Sequence, residues 1–133
     1  LCLMILDIDY FKQYNDTYGH QKGDFVLKEV ANVLRSKTNR ASDFAFRVGG
    51  EEFAIVITNE ESKTAIELCE ILKKEIEEAQ ILNENSSVSK YLTISAGVVS
   101  KIPNDLDDID SFSKIADERL YEAKELGRNL IIF

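Results

Sequence analysis

Apolar and polar positions alternate along this chain with two periods, and the changes of period divide it into elements. Residues 1–9 run almost unbroken as Leu1-Cys2-Leu3-Met4-Ile5-Leu6 and then Asp7-Ile8-Asp9. This predicts a buried central strand with two acids at its C-terminal end. A short helix is expected over 10–18, stopped by Gly19. A second runs from about 23 or 24 to 37, with Leu27, Val30, Ala31 and Leu34 as its apolar stripe and Asp24 near its N-terminus, where an acid suits the dipole. Residues 43–48 and 53–57 read as two strands joined at Gly49-Gly50, a hairpin in which the glycines supply positive φ. A long helix is predicted over 62–82, capped by Ser62, with Ala65, Leu68, Cys69, Leu72, Ile76 and Ala79 inward. A polar loop covers 83–89. The strand over 92–99 turns Leu92, Ile94, Ala96 and Val98 to one face and Thr93, Ser95, Gly97 and Val99 to the other. After an exposed loop with the one proline, Pro103, a last helix spans 111–126, its inner face Phe112, Ile115, Ala116, Leu120 and Ala123. Gly127 ends it, and 130–133 form a final strand. The order βααββαβαβ predicts an α+β fold: a mixed, largely antiparallel five-stranded sheet with helices packed on it.

The hairpin is chemically unusual. Glu51 and Glu52 follow the glycines directly, and at a turn both carboxylates can reach one side. Glycine beside them lets a ligand approach closely. If the first strand lies beside the hairpin, Asp7 and Asp9 meet these glutamates and form a hard oxygen site suited to Mg²⁺ and phosphate. A solvated acidic turn fits the same residues, and the stretch alone leaves both open.

Composition narrows the choice. The 133 residues suffice for one domain with one core. A net charge of −8 leaves no basic groove for a nucleic acid or an anionic membrane, although a nucleotide held by a metal and a few cations remains compatible. Cys2 and Cys69 both sit in apolar patterns and read as buried thiols in a reducing compartment. No apolar run reaches the length of a membrane span. The start at Leu1, inside an apolar run with no initiator Met, suggests a fragment of a longer polypeptide.

The residues Asp7-Ile8-Asp9-Tyr10-Phe11-Lys12, then Asn15-Asp16, Gly19-His20 and Gly23-Asp24, resemble the first signature of GGDEF domains, the diguanylate cyclases. Gly49-Gly50-Glu51-Glu52-Phe53 is the GGEEF form of the motif that names the family. Thr93-Ile94-Ser95-Ala96-Gly97-Val98 looks like its late strand. Ala116-Asp117, Tyr121, Ala123-Lys124 and Gly127-Arg128-Asn129 look like its closing helix. The resemblance extends over essentially the whole chain, as one GGDEF catalytic domain over 1–133 truncated at its N-terminus, and implies a cyclase or palm-like (ferredoxin-like) fold.

It also implies an activity: condensation of two GTP into cyclic di-GMP with release of pyrophosphate. By motif position, Asp7, the Ile8 carbonyl, Glu51 and Glu52 hold two Mg²⁺ per site (Mn²⁺ as a substitute), with Glu51 also the family's proton acceptor and Asp9 in a supporting role. Phe11 and Lys12 offer backbone N–H groups to phosphates, Lys124 and Arg128 bring cations to the β- and γ-phosphates, and Asn15 and Asp24 read guanine. Gly49 and Gly50 give the nucleotide clearance, and His20 lines its pocket. Taken without the resemblance, Lys124 and Arg128 read as helix-end charges, Asn15 fits an Asx turn, Asp24 a cap and His20 a structural residue. Arg40 and Asp43 form an R-x-x-D five residues before Gly49, the spacing of the family's product-inhibition site, against the alternative of an exposed ion pair. The predicted helix over 62–82 holds Lys73 and Lys74 but no Arg, so a secondary inhibitory arginine is not expected there.

Since one domain binds one GTP, the resemblance implies a homodimer at the moment of chemistry, an upstream sensory or receiver domain that drives it, and a cytoplasmic location, either free or as the cytoplasmic part of a membrane-anchored sensor. Degenerate members of the family act instead as non-catalytic receptors for GTP or cyclic di-GMP, usually after losing the hairpin acids or the late Lys/Arg, which are intact here.

Overall fold

The computed structural model describes residues 1–58 and 61–133. The strands are β1 (Cys2–Ile8), β2 (Phe44–Gly49), β3 (Glu52–Ile57), β4 (Ile94–Ser100) and β5 (Ile131–Ile132). The helices are α1 (Phe11–Tyr18), α2 (His20–Lys37), α3 (Ser62–Glu78) and α4 (Ile109–Glu125). The predicted order βααββαβαβ holds. The sheet runs β2-β3-β1-β4-β5. Every neighbour pair is antiparallel except β4 with β5.

The apolar run of the first strand is explained by its central place, with both faces covered. Met4, Leu6 and Ile8 point into the larger core, beneath α1, α2 and α3, with Val26, Val30, Leu34, Ile55, Cys69 and Leu72. Leu3 and Ile5 point to a smaller one with Ala54, Val99, Phe112 and Ala116, beneath α4. The alternation read in 92–99 is borne out, since Leu92, Ile94, Ala96 and Val98 all lie in the larger core. Cys2 and Cys69 are buried free thiols.

Several boundaries move. The second helix begins at His20, with Gly19 at φ 86 both ending α1 and starting α2. The chain thus spends one left-handed glycine on two helices, and Asp24 falls beyond the first turn of α2 rather than at its N-terminus. Helix α3 ends at Glu78, and Ala79, expected inside, is exposed just past it. Ser62 is its first residue, not its cap; Glu61 stands at the cap without a side-chain bond. Helix α4 starts earlier than expected because Asp108 and Ser111 form a reciprocal capping box, the Asp108 carboxylate accepting from Ser111 N–H at 2.7 Å. At the hairpin, Gly49 belongs to β2 and only Gly50 has positive φ, at 52°. Pairing slips between Arg47 and Gly49, so Val48 bulges and the turn is Gly50-Glu51.

Helix α4 lies close against the sheet. Only glycine fits at 97: a methyl group there would stand 2.0 Å from the Ala116 carbonyl oxygen and 2.4 Å from the Leu120 nitrogen. The Arg119 guanidinium donates to the Val98 carbonyl at 2.5 Å and pins the same crossing. Beyond α4, towards β3 and β2, the sheet face opens into a groove of about 910 Å³ lined by Ile5, Ala54, Val56, Phe46 and Tyr121, with Lys124 on its border.

Candidate active site

Pairing of β1 with β3 sets Asp7 directly opposite Glu52. Directly opposed residues of an antiparallel pair share a face, here the α4 face. The turn residue Glu51 is tied to the same strand end, its carbonyl accepting from Ile8 N–H at 3.4 Å. Helix α4 completes the group: the Lys124 ammonium lies 3.0 Å from an Asp7 carboxylate oxygen. Burial pushes the Asp7 carboxyl above the usual carboxylate range; the Lys124 ammonium pulls it back, and Glu51 and Glu52 push it up again. Asp7, Glu51, Glu52 and Lys124 thus form one electrostatic unit built from three elements.

This unit fits a hard divalent cation in its chemistry. Its donors are all oxygen, and the acids face one another near a partly desolvated carboxylate, a repulsion that positive charge relieves. Lys124 already supplies part of that charge. Among the described residues, no three His, Cys, Asp or Glu side chains stand together closely enough to hold a metal ion by themselves.

Asp9, the other acid of the first strand, has a different task. It is buried at 1% exposure, and its carboxylate accepts from Thr93 Oγ1 and Ser95 Oγ, both at 2.7 Å, and from the Asn129 backbone N–H at 3.1 Å. With both oxygens so engaged, Asp9 fastens β1 to β4 and to the turn after α4. The supporting role expected of it fits this geometry. That turn is tightly wound: Gly127, Arg128 and Asn129 all have positive φ, at 116°, 65° and 52°. Two consecutive non-glycine residues in this region are costly and persist only where the surroundings impose them. The result is to swing the Arg128 guanidinium over the Tyr10 ring, 4.8 Å from its centroid, and Tyr10 is itself left-handed at φ 57.

The remaining predicted residues divide by position. Phe11 and Lys12 open α1, whose N-terminus has no side-chain cap. The Phe11 ring is buried in the core, Lys12 is exposed, and the first N–H groups of the helix lie beside the acid-bearing end of β1. Asn15 packs across Gly23, where a methyl group would stand 1.8 Å from its Oδ1, and that oxygen is buried with no partner. Asp24 is exposed one residue on, at the mouth of a cleft of about 300 Å³ between α2 and the hairpin, with Leu27, Lys28, Arg47 and Phe53. An orphan acceptor and a free-facing carboxylate on adjoining helices are what a base carrying several N–H donors would satisfy. His20 is exposed at the first turn of α2. Arg40 and Asp43 flank the turn into β2. Asp43 N–H donates to the Arg40 carbonyl at 3.1 Å, and its Oδ1 accepts from Thr58 N–H at 3.3 Å. They lie away from the Asp7 group, at the opposite end of the hairpin.

Five contributors were not anticipated. Thr93 and Ser95 hold Asp9; polar residues alternating through an apolar strand were the available signal. Gly97 seats α4, as a glycine inside a strand often does. Tyr10 receives Arg128. Arg47 grips the hairpin turn, and no pattern marked it.

The site thus sits on a palm-like, largely antiparallel sheet, with acids at the tips of adjoining strands and a helix cation on one of them. Residues 1–130 match the family described as "Diguanylate cyclase, GGDEF domain", and the chain belongs to that family. It is 42% identical over 131 residues to "Diguanylate cyclase A" of Treponema denticola, covering 98% of this chain and 34% of that protein. It is 40% identical over 131 residues to "Probable diguanylate cyclase DgcT" of Escherichia coli, covering 98% and 28%. The chain thus spans about a third of the length of these curated relatives. Among solved structures, the GGDEF domain of DgcB from Caulobacter crescentus in complex with c-di-GMP superposes with a TM-score of 0.83 at 32% identity, covering 98% of this chain and 75% of that one. The active GGEEF domain of a diguanylate cyclase from Vibrio cholerae gives 0.84 at 36%, covering 98% and 80%. No helix among the described residues is long and apolar enough to cross a membrane.

Proposed function

We propose that this domain condenses two GTP into cyclic di-GMP with release of two pyrophosphates. The observation that carries the reading is the register that sets Asp7 opposite Glu52 while Lys124 closes on Asp7 at 3.0 Å. In this reading Asn15 and Asp24 bind guanine, the Asp24 carboxylate accepting from N1–H and the N2 amino group. Adenine presents no such donor pair, so GTP is preferred to ATP. Backbone N–H groups of Phe11 and Lys12 at the start of α1 receive phosphate oxygens. Lys124 and Arg128 neutralise the β- and γ-phosphates. Gly49 and Gly50 keep the tip bare, with no atom within 4 Å of where a side chain would stand, leaving room for the nucleotide.

Asp7, the Ile8 carbonyl, Glu51 and Glu52 would hold Mg²⁺, two per site, with Mn²⁺ as a substitute. Bound there, the ions would lower the pKa of the attacking 3′-hydroxyl and stabilise the leaving pyrophosphate. Glu51, at the turn, accepts the hydroxyl proton. Because each domain presents one GTP, two domains face one another during the reaction, and segments elsewhere in the intact protein govern that encounter. Arg40 and Asp43 form a product-binding site at the far end of the hairpin and arrest turnover. The similarity to a GGDEF domain crystallised in complex with c-di-GMP supports this.

The test is incubation of the protein, dimerised through a fused leucine zipper, with GTP and Mg²⁺, followed by chromatography. Cyclic di-GMP and pyrophosphate are expected in a 1:2 ratio. Tight binding of GTP or cyclic di-GMP with no turnover would overturn the catalytic reading in favour of a receptor.

A further inference from the structure

Arg47 is exposed on β2, yet its guanidinium is committed. Nε donates to the Gly50 carbonyl at 3.0 Å and Nη2 to the same oxygen at 2.8 Å. We propose that Arg47 is a positioning residue for Glu51, gripping the carbonyl of the preceding residue and so fixing where the turn aims the Glu51 carboxylate. This rests on the cyclase reading above.

The need for such a grip follows from the hairpin itself. Regular pairing breaks at the bulge, where Arg47 faces Phe53 and then Gly49 faces Glu52. The ladder thus loses a step immediately before the turn. No atom lies within 4 Å of where a side chain would stand at Gly49 or Gly50, so packing does not hold the tip. Gly50, at φ 52, can relax into many other conformations. Towards β1 the tip has the bond from Ile8 N–H to the Glu51 carbonyl, which at 3.4 Å is long. The Arg47 fork supplies two shorter bonds to one atom, and a planar guanidinium is the side chain suited to that. A bare tip gives a substrate clearance but leaves Glu51 loosely aimed; the Arg47 fork reconciles the two demands. Because Arg47 is exposed, it contributes little to global stability, and aim can be separated from folding.

The experiment compares wild type with Arg47→Ala and Arg47→Lys in the dimerised protein. Arg47→Ala is expected to lower kcat about tenfold or more, as misplaced catalytic groups do, with KM for GTP within about twofold and Tm within about 2 °C. Arg47→Lys, which keeps the charge without the fork, restores only part of kcat. Independently of turnover, amide hydrogen exchange at Gly50, Glu51 and Glu52 should accelerate in Arg47→Ala while the β1 amides stay protected. Unchanged exchange at the tip, full rescue by lysine, or a Tm loss that tracks the activity loss would each overturn the proposal. If wild type itself makes no cyclic di-GMP, the cyclase reading fails, and the exchange measurement alone still decides whether Arg47 holds the turn.

Discussion

Gly97→Ala tests how closely the site depends on the seating of α4. The added methyl would lie 2.0 Å from the Ala116 carbonyl oxygen, 2.4 Å from the Leu120 nitrogen and 2.8 Å from the Arg119 Cβ. The first two are backbone atoms of a helix and cannot swing aside. To restore contact near 3.5 Å, α4 must retreat by about 1 Å or more. Overpacking of this kind costs about 1–3 kcal/mol. For a chain of this size, about 2 kcal/mol corresponds to a Tm lowered by roughly 6–10 °C. Lys124 lies one turn beyond Leu120, so the retreat carries to the 3.0 Å Lys124–Asp7 pair and opens it. A displacement of about 1 Å at a reacting centre can cost on the order of 100-fold in rate. Thermal unfolding by circular dichroism gives the first number, and initial rates of cyclic di-GMP formation, measured well below the new Tm, give the second. A variant that melts within 1 °C of wild type and turns over at the wild-type rate would refute the reasoning, since it would mean that α4 does not rest on Gly97.

Asp7→Asn should abolish turnover yet raise Tm near pH 7.5. Folding raises the Asp7 pKa, so its ionisation opposes folding as pH rises through the folded value. The gain should therefore vanish towards pH 3, below the ordinary carboxylate value of about 4, and a lower Tm for the variant at neutral pH would contradict this. Gly23→Ala should displace Asn15 from above α2 and raise KM for GTP about tenfold, the loss of roughly one hydrogen bond. Its kcat should hold, and Tm should not fall by more than about 1 kcal/mol of stability would allow, because alanine favours a helix interior by about that much. Arg40→Ala should leave the initial rate intact and straighten progress curves that otherwise bend as cyclic di-GMP accumulates; a tenfold or greater weakening of product inhibition is expected.

What could be foreseen along this chain follows from where the information is local. Periodicity or apolar runs marked the nine elements among the described residues, most of which bury a face whose spacing is written in consecutive residues, although β2 is exposed along nearly all its length. The meeting of Asp7 with the hairpin acids was conditional on one strand adjacency, and the element order made that adjacency natural. Three of the misplaced boundaries lie where a small contact decides. The Asp108–Ser111 box lengthens α4 at its start; Gly19 serves two helices; and the bulge at Val48 moves the turn by one residue. The grip of Arg47 on Gly50 was hidden because it depends on that bulge, and the packing of α4 on Gly97 because it depends on a crossing between distant segments. Asp9 illustrates the limit well. Its spacing from Asp7 suggests a paired ligand, and only the tertiary structure shows its oxygens already occupied by Thr93, Ser95 and Asn129.

That occupied carboxylate has a consequence for how the domain comes into being. The bonds of Asp9 join positions 84, 86 and 120 residues apart, among the most expensive kinds of closure for a folding chain to make early. Because Asn129 docks through Asp9, and Arg128 is its neighbour, the Arg128 guanidinium reaches its place over Tyr10 only after the opening and closing segments have found each other. A chain still emerging during synthesis, or one frayed after α4, has the acids of β1 and the hairpin without Arg128 over Tyr10. On the cyclase reading proposed above, such a species should hold GTP more weakly, and turnover would then belong to molecules that have finished folding.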